Sequence, residues 1–164
     1  MIFVTVGTQV HFDRLVRAVD EWAQSRARDD VFAQVGPSNY VAKHIKTKQF
    51  ISPEEFRKTV ESASVVVAHA GMGSIITALE LGKHIIVMPR RAALGEQRND
   101  HQLATAKRFA AQGRVVVASN EQELVEKLDQ LGALVKVDRL GAHASPDLIA
   151  TIRTFVETGQ FRKP

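Results

Sequence analysis

SVVVAHAGMGSIITALELGKHIIVMP, residues 64–89, decides how this chain folds. Val65–Ala68 is an apolar run, His69, Gly71, Gly73 and Ser74 crowd a tight turn, a helical stretch follows, and Ile85–Met88 is a second apolar run. Strand, turn, helix and strand make one βαβ unit. Its turn brings bare backbone N–H groups and a helix N-terminus to one point, where an anion such as a diphosphate binds.

The same alternation extends in both directions, which predicts an α/β fold: a Rossmann-like parallel sheet with helices on both faces. Ile2–Val6 reads as a first strand. Phe12, Leu15, Val16, Val19 and Trp22 recur at helical spacing over Phe12–Ser25. Val31–Val35 is a second strand, and Lys46–Ile51 a short edge strand with Lys46 and Lys48 on one face. Ser52-Pro53-Glu54-Glu55 starts a helix, with Ser52 as cap and Glu55 closing a capping box. Downstream, a helix is expected over Asn99–Ala111, a strand over Arg114–Ala118, and a helix over Ser119–Leu131 begun by Ser119 with Gln122. Ser145-Pro146-Asp147 opens a last helix to about Glu157, and Arg162-Lys163-Pro164 should fray. VVVA, HIIVM and RVVVA are apolar on both faces, so all three strands are expected at the centre of the sheet.

At 164 residues, without repeats or linkers, the chain is expected to be one domain over residues 1–164. Apolar residues make up 45% and charged residues 24%, as in soluble globular proteins. No apolar run reaches about 18 residues, so no membrane span is expected. The opening MIFVTVGTQ reads as a strand rather than a signal peptide. With no cysteine, disulfides, thiolate zinc sites and cysteine nucleophiles are excluded, and a cytoplasmic location is expected. A net charge of +4 favours anionic partners. Nucleic acid is not among those expected, because one Trp and one Tyr give little to stack bases on.

In a parallel sheet, ligands bind outside the carboxyl ends of the strands. Gly7-Thr8-Gln9, the His69 turn and Pro89-Arg90-Arg91 all fall there. Gly71 and Gly73 admit a closely approaching ligand, Ser74 offers a hydroxyl and an N–H, and His69 is placed to donate to a phosphate. A tight connection with Ser74 as a simple cap accounts for the same residues, and both uses stay open at this point. A nicotinamide or flavin fingerprint needs a third glycine where Ile76 stands, and the P-loop pattern is absent. PRRAALGEQRNDHQLATA, residues 89–106, puts Arg90, Arg91, Glu96 and Arg98 in a loop before Asn99-Asp100-His101-Gln102. Those four polar residues at a helix start suit sugar hydroxyls, and the arginines suit a phosphate or carboxylate. A plain N-cap and a solvated loop are the alternative. The six histidines show no H-x-x-x-H pair, so zinc is not expected. His84 reads as a strand start, His143 as a loop residue and His11 as a minor candidate for ligand contact.

VTVGTQ-x5-LV, HAGMGSIITALELGK and PRRAALGEQRNDHQLATA together resemble the donor-binding half of family 28 glycosyltransferases. Within it the chain is most similar to the small members that form one half of a split enzyme, the Alg13-like proteins and the PssE-type exopolysaccharide subunits. The resemblance runs over most of Met1–Ala118. It implies the equivalent of the C-terminal half of a GT-B transferase, with His69, Gly71, Gly73 and Ser74 on the diphosphate of a UDP-sugar donor. Gly7 and Thr8 would line the same cleft, Phe50 and Ile51 would flank the uracil, and Asn99, Asp100 and Gln102 would contact the sugar. Related members place a ribose-binding glutamate where Thr77 stands, and Glu80, one helical turn on, is the candidate substitute.

The resemblance further implies an inverting transferase that requires no metal or other cofactor. Its acceptor lobe and general base would lie in a membrane-associated Alg14- or PssD-like partner, its acceptor would be a lipid-linked saccharide, and its location would be peripheral to the inner membrane. Arg90 and Arg91 favour a glucuronic acid donor, hence a β-1,4-glucuronosyltransferase of exopolysaccharide synthesis. The apolar face of the last helix, Leu148, Ile149, Ile152, Phe155 and Val156, is expected to pack on its own sheet, with a partner contact as the alternative. A non-catalytic activating or scaffolding subunit is the competing function, and a nicotinamide-dependent oxidoreductase a more distant one.

Overall fold

A computed structural model describes residues 1–133, 139–141 and 146–159. Among the described residues, six strands and six α-helices follow in order: β1 Ile2–Thr5, α1 Asp13–Ser25, β2 Val31–Gln34, β3 Lys46–Lys48, α2 Pro53–Ser62, β4 Val65–His69, α3 Met72–Glu80, β5 His84–Met88, α4 His101–Ala111, β6 Val116–Val117, α5 Glu121–Asp129 and α6 Pro146–Thr158. All neighbouring strands pair parallel, in the order β3-β2-β1-β4-β5-β6. The order reverses between β1 and β4, where the connections run away to opposite sides and leave a crevice at the carboxyl ends.

Strand alternation sends Val4, Val67 and Ile86 to one face and Phe3, Val66 and Ile85 to the other. Leu15, Val16, Val19 and Trp22 of α1, with Leu124 and Leu128 of α5, cover the first face. Val60 of α2, Ile75, Ala78 and Leu79 of α3 and Ala106 of α4 cover the second. β4 and β5 are therefore central, as their unbroken apolar runs require.

Arg114–Ala118 departs from expectation. Only Val116–Val117 pairs, and β6 is an edge strand. Its run is apolar on both faces because α4 and α5 flank that edge: Val115 joins the α2–α4 layer and Ala118 the α1–α5 layer. β3 is the opposite edge, as its exposed Lys46 and Lys48 predict.

The helix starts differ in detail. Ser52 Oγ accepts the Glu55 N–H at 3.1 Å, but the Glu55 carboxylate turns to Lys48 Nζ at 2.6 Å, so the capping box is half made. α5 is capped by Asn120, whose Oδ1 accepts the Glu123 N–H at 2.8 Å, and not by Ser119. Ser119 instead donates its N–H to the Glu123 carboxylate, which shifts the cap by one residue. Along α6, Leu148, Ile149, Ile152, Phe155 and Val156 are all exposed and none is buried, so that helix does not pack on the sheet as expected. His143 and the tail Arg162-Lys163-Pro164 lie outside the described residues.

Candidate functional site

A cleft of about 590 Å³ opens at the carboxyl ends of β1, β2, β4 and β5. Ile51, Pro53 and Phe56 wall one end, near β2 and α2. Gly7, Thr8, His69, Gly71, Gly73 and Ser74 line the middle, and Arg90, Gln97, His101 and Gln102 line the end near β5 and α4. The three sequence-distant segments expected at one edge thus share one cavity.

The middle is built for an anion. α3 has Gly71 as its N-cap and no side-chain cap, so the first-turn N–H groups of Met72, Gly73 and Ser74 lack intrahelical partners and face the cleft. Ser74 is the third helical residue rather than the cap, buried to 8% exposure. Together with the helix dipole, these groups put partial positive charge at one point.

His69 sits differently from the simple phosphate donor expected. Its Nδ1 lies 3.5 Å from the Thr5 carbonyl, which only accepts, so Nδ1 carries the hydrogen and Nε2 a lone pair. Burial, and then the Arg90 cation, push its pKa down to about 4, so the ring is neutral at pH 7. Donation from Nε2 to an anion requires a hydrogen there, gained by protonation of the ring or by a change of tautomer. The ring is wedged between glycines: a Cβ on Gly71 would fall 2.1 Å from Nε2, and one on Gly7, at φ +78°, 2.9 Å from Cε1. Gly73 is unlike these, since a Cβ there meets nothing within 4 Å.

The charged loop after β5 is an internal frame more than a ligand surface. Glu96 is 8% exposed and takes Arg14 Nε at 2.7 Å, Arg14 Nη2 at 2.9 Å and the Arg91 N–H at 2.9 Å. Arg91 donates its guanidinium to the Ser119 carbonyl, which withdraws it from the cleft. Arg90, 3% exposed, does line the cleft, but its Nη2 donates to the Val6 carbonyl at 2.7 Å and to the Val10 carbonyl. Its Nε is buried without a partner, and burial lowers its pKa to about 10. The pair of arginines expected to read a sugar carboxylate is thereby reduced to Arg90, already bonded to the β1–α1 loop.

Other expected site residues lie outside the lining. α4 starts at His101, not Asn99. The Asp100 carboxylate accepts the Ala92 N–H at 2.8 Å, and Asn99 Oδ1 accepts the His101 N–H at 3.2 Å, so both hold the loop and neither lines the cleft. Glu80 pairs with Arg57 at 3.5 Å and points away, whereas Thr77 lines the cleft. Phe50 is 49% exposed beside the cleft and leaves the wall to Ile51. His11 is exposed and takes no part in the lining.

Sequence reasoning missed Gln34, Pro53, Phe56, Met72 and Gln97, all of which line the cleft, whereas His101, named with the polar residues at the helix start, lines it as well. His101 stood within the N-D-H-Q motif. Gln34 was the signal most open to notice, a glutamine closing an otherwise apolar strand.

The family model for the glycosyltransferase family 28 C-terminal domain matches residues 1–139. The chain is 28% identical over 124 residues to the UDP-N-acetylglucosamine transferase subunit ALG13 of Homo sapiens, covering 70% of this chain and 10% of that protein. Its counterpart in Mus musculus is 30% identical over 123 residues, 69% of this chain and again 10% of the relative. The chain therefore spans about one tenth of the length of these curated relatives. Among solved structures, the NMR structure of ALG13 aligns at a TM-score of 0.60 and 21% identity, over 96% of this chain and 95% of that one. The calicheamicin glycosyltransferase CalG4 aligns at 0.57 and 16% identity, over 80% of this chain and 34% of that one. These structures share the fold, here the equivalent of a GT-B C-terminal half.

Proposed function

The chain belongs to the glycosyltransferase family 28 C-terminal domain family, and on that premise we propose that it is the donor-binding subunit of a two-component, inverting, metal-independent glycosyltransferase. The donor is a UDP-sugar. Its diphosphate lies on the uncapped start of α3, its base toward Ile51, Pro53 and Phe56, and its sugar toward Gln97, His101 and Gln102. The observation that carries this reading is the open first turn of α3, facing a cleft at the crevice between β1 and β4.

In the reaction, a hydroxyl of a lipid-linked saccharide attacks the anomeric carbon and the bond to the UDP oxygen breaks with inversion. The N–H groups of α3 and its dipole take up the charge that develops on the departing diphosphate. The acceptor proton goes to a base in an Alg14- or PssD-like partner, which also brings the chain to the membrane. The word "subunit" in the relatives' names supports a partner, as do the exposed Ile149, Ile152 and Val156 of α6. Among the described residues no helix is long and apolar enough to cross a membrane.

Within this reading the donor sugar is glucuronic acid, transferred β-1,4 in exopolysaccharide synthesis, now resting on Arg90 alone. The test is co-expression with the partner on acceptor-bearing membranes, supplied with radiolabelled UDP-glucuronate or UDP-N-acetylglucosamine. Label should enter lipid only when both chains are present, and from the glucuronate donor. Entry from the second donor alone would remove the sugar assignment. Transfer by the partner without this chain would show it to be a non-catalytic scaffold.

A further inference from the structure

At the end of the cleft near α2, one side chain offers a hydrogen bond that the protein does not complete. Gln34 closes β2 and is 3% exposed. Alternation puts its side chain on the same sheet face as Phe32. The Phe32 ring stacks on Phe3 at 5.9 Å, and Phe3 meets Phe56 of α2 edge-on at 5.6 Å. Gln34 therefore lies under the start of α2, where Ile51, Pro53 and Phe56 form an apolar wall. It is remote in chain from Arg90 and Gln102, which line the other end.

A relay fixes its amide. The Gly7 N–H donates to Thr5 Oγ1 at 3.2 Å, and Thr5 is fully buried, so its own O–H must find an acceptor inside. Gln34 Oε1 is that acceptor, at 2.9 Å. Turning the amide over would put N–H against the hydroxyl and leave a buried O–H unsatisfied. With its oxygen turned to the Thr5 hydroxyl, Gln34 directs its N–H donors to the cleft, and among the described residues Nε2 has no acceptor.

A fixed donor without an acceptor selects a ligand atom that accepts. In a slot with apolar walls the group to be read is a planar base, and bases differ in this respect. Uracil carries two exocyclic carbonyl oxygens, cytosine replaces one with an amino group, and adenine has none. We propose that Gln34, held by the Gly7–Thr5 relay, is a base-selecting residue whose amide donates to a nucleobase carbonyl and favours uridine over cytidine and adenosine nucleotides. This rests on the nucleotide-sugar reading above and adds to it the residue that chooses the base.

The test is calorimetric titration of the wild-type chain and of Gln34→Leu, Gln34→Glu and Thr5→Val with UDP, CDP and ADP, with folding followed by circular dichroism. Wild type should favour UDP over CDP. Gln34→Leu should weaken UDP about tenfold, roughly one hydrogen bond, and leave CDP and ADP nearly unchanged. Gln34→Glu, which presents an acceptor, should move the preference toward CDP. Thr5→Val keeps the shape but frees the amide to turn, so the UDP-to-CDP ratio should narrow while binding persists. Equal losses for all three nucleotides, or an unchanged ratio in Thr5→Val and Gln34→Leu, would overturn the assignment and leave the transferase reading standing. Failure of wild type to bind any of the three would overturn both.

Discussion

Gly71 and Gly73 stand two residues apart and answer to different constraints. The first makes room for the His69 ring, and the second faces open space in the cleft. Gly71→Ala should therefore destabilise the fold, by about 2 kcal/mol on the scale of overpacked sites, read as a drop in the urea midpoint. Gly73→Ala should keep or raise stability, by up to about 1 kcal/mol as alanine is the better helix former, yet weaken UDP because its methyl enters the ligand space. His69 makes a pH prediction. Its pKa near 4 in the fold lies below the unfolded value near 6.5, so the unfolded state binds the extra proton. Stability from this group is complete above pH 6.5 and falls by about 3 kcal/mol as pH drops through that window to 4. His69→Gln should flatten the stability profile between those limits, while an unchanged profile would show that another group carries it. What the sequence disclosed at this scale was a tight glycine turn between β4 and α3. It did not disclose that two glycines serve a histidine, because ring packing across β1 and β4 depends on pairing that no local pattern records.

Between strands and helices, ion pairs and caps decide where elements begin. The loop after β5 is tied to α1 by the bidentate Arg14–Glu96 pair, whose side chains are 16% and 10% exposed. Glu96→Gln leaves Arg14 poorly paired and should cost about 3 kcal/mol, as broken buried pairs do. Proteolysis within residues 90–100 should rise with it. The β2–β3 connection has its own anchor. Asp20, 1% exposed, accepts the N–H groups of Lys43, His44 and Ile45 at 3.0, 2.8 and 3.1 Å and the Tyr40 hydroxyl at 2.8 Å. Burial opposes ionisation there, but these donors bring the Asp20 pKa below its usual value. Its contribution is present above the unfolded carboxylate range and lost as pH falls through the lowered folded pKa. The order of strands and helices was legible from periodicity and glycine turns. Helix starts and the rank of β6 were not. Asp100 and Ser119 both look like caps, but the Asp100 carboxylate takes the Ala92 N–H across the loop, and Ser119 gives its N–H to the Glu123 carboxylate and its carbonyl to Arg91, so neither side chain caps its helix.

At the scale of the molecule, the strand order places one crevice between β1 and β4, and Gly7, Thr8, Ile51, His69, residues 71–74, Arg90 and Gln102 gather around it. α6 stands apart, with Ile152 52% and Val156 76% exposed. If this face meets the partner, the double substitution Ile152→Asp with Val156→Asp should leave the melting temperature of the isolated chain nearly unchanged, within about 0.5 kcal/mol, and abolish co-purification with the partner. Unfolding of the isolated variant would instead assign the face to the chain's own packing. The cleft itself is tested most directly by titrating UDP into the isolated chain and following backbone amide NMR shifts. Millimolar-or-better binding is expected, with the largest shifts at Gly7 and at residues 71–74, and marked weakening in His69→Ala and Ser74→Ala. No binding at millimolar UDP, or equal binding by both variants, would contradict the donor-binding reading.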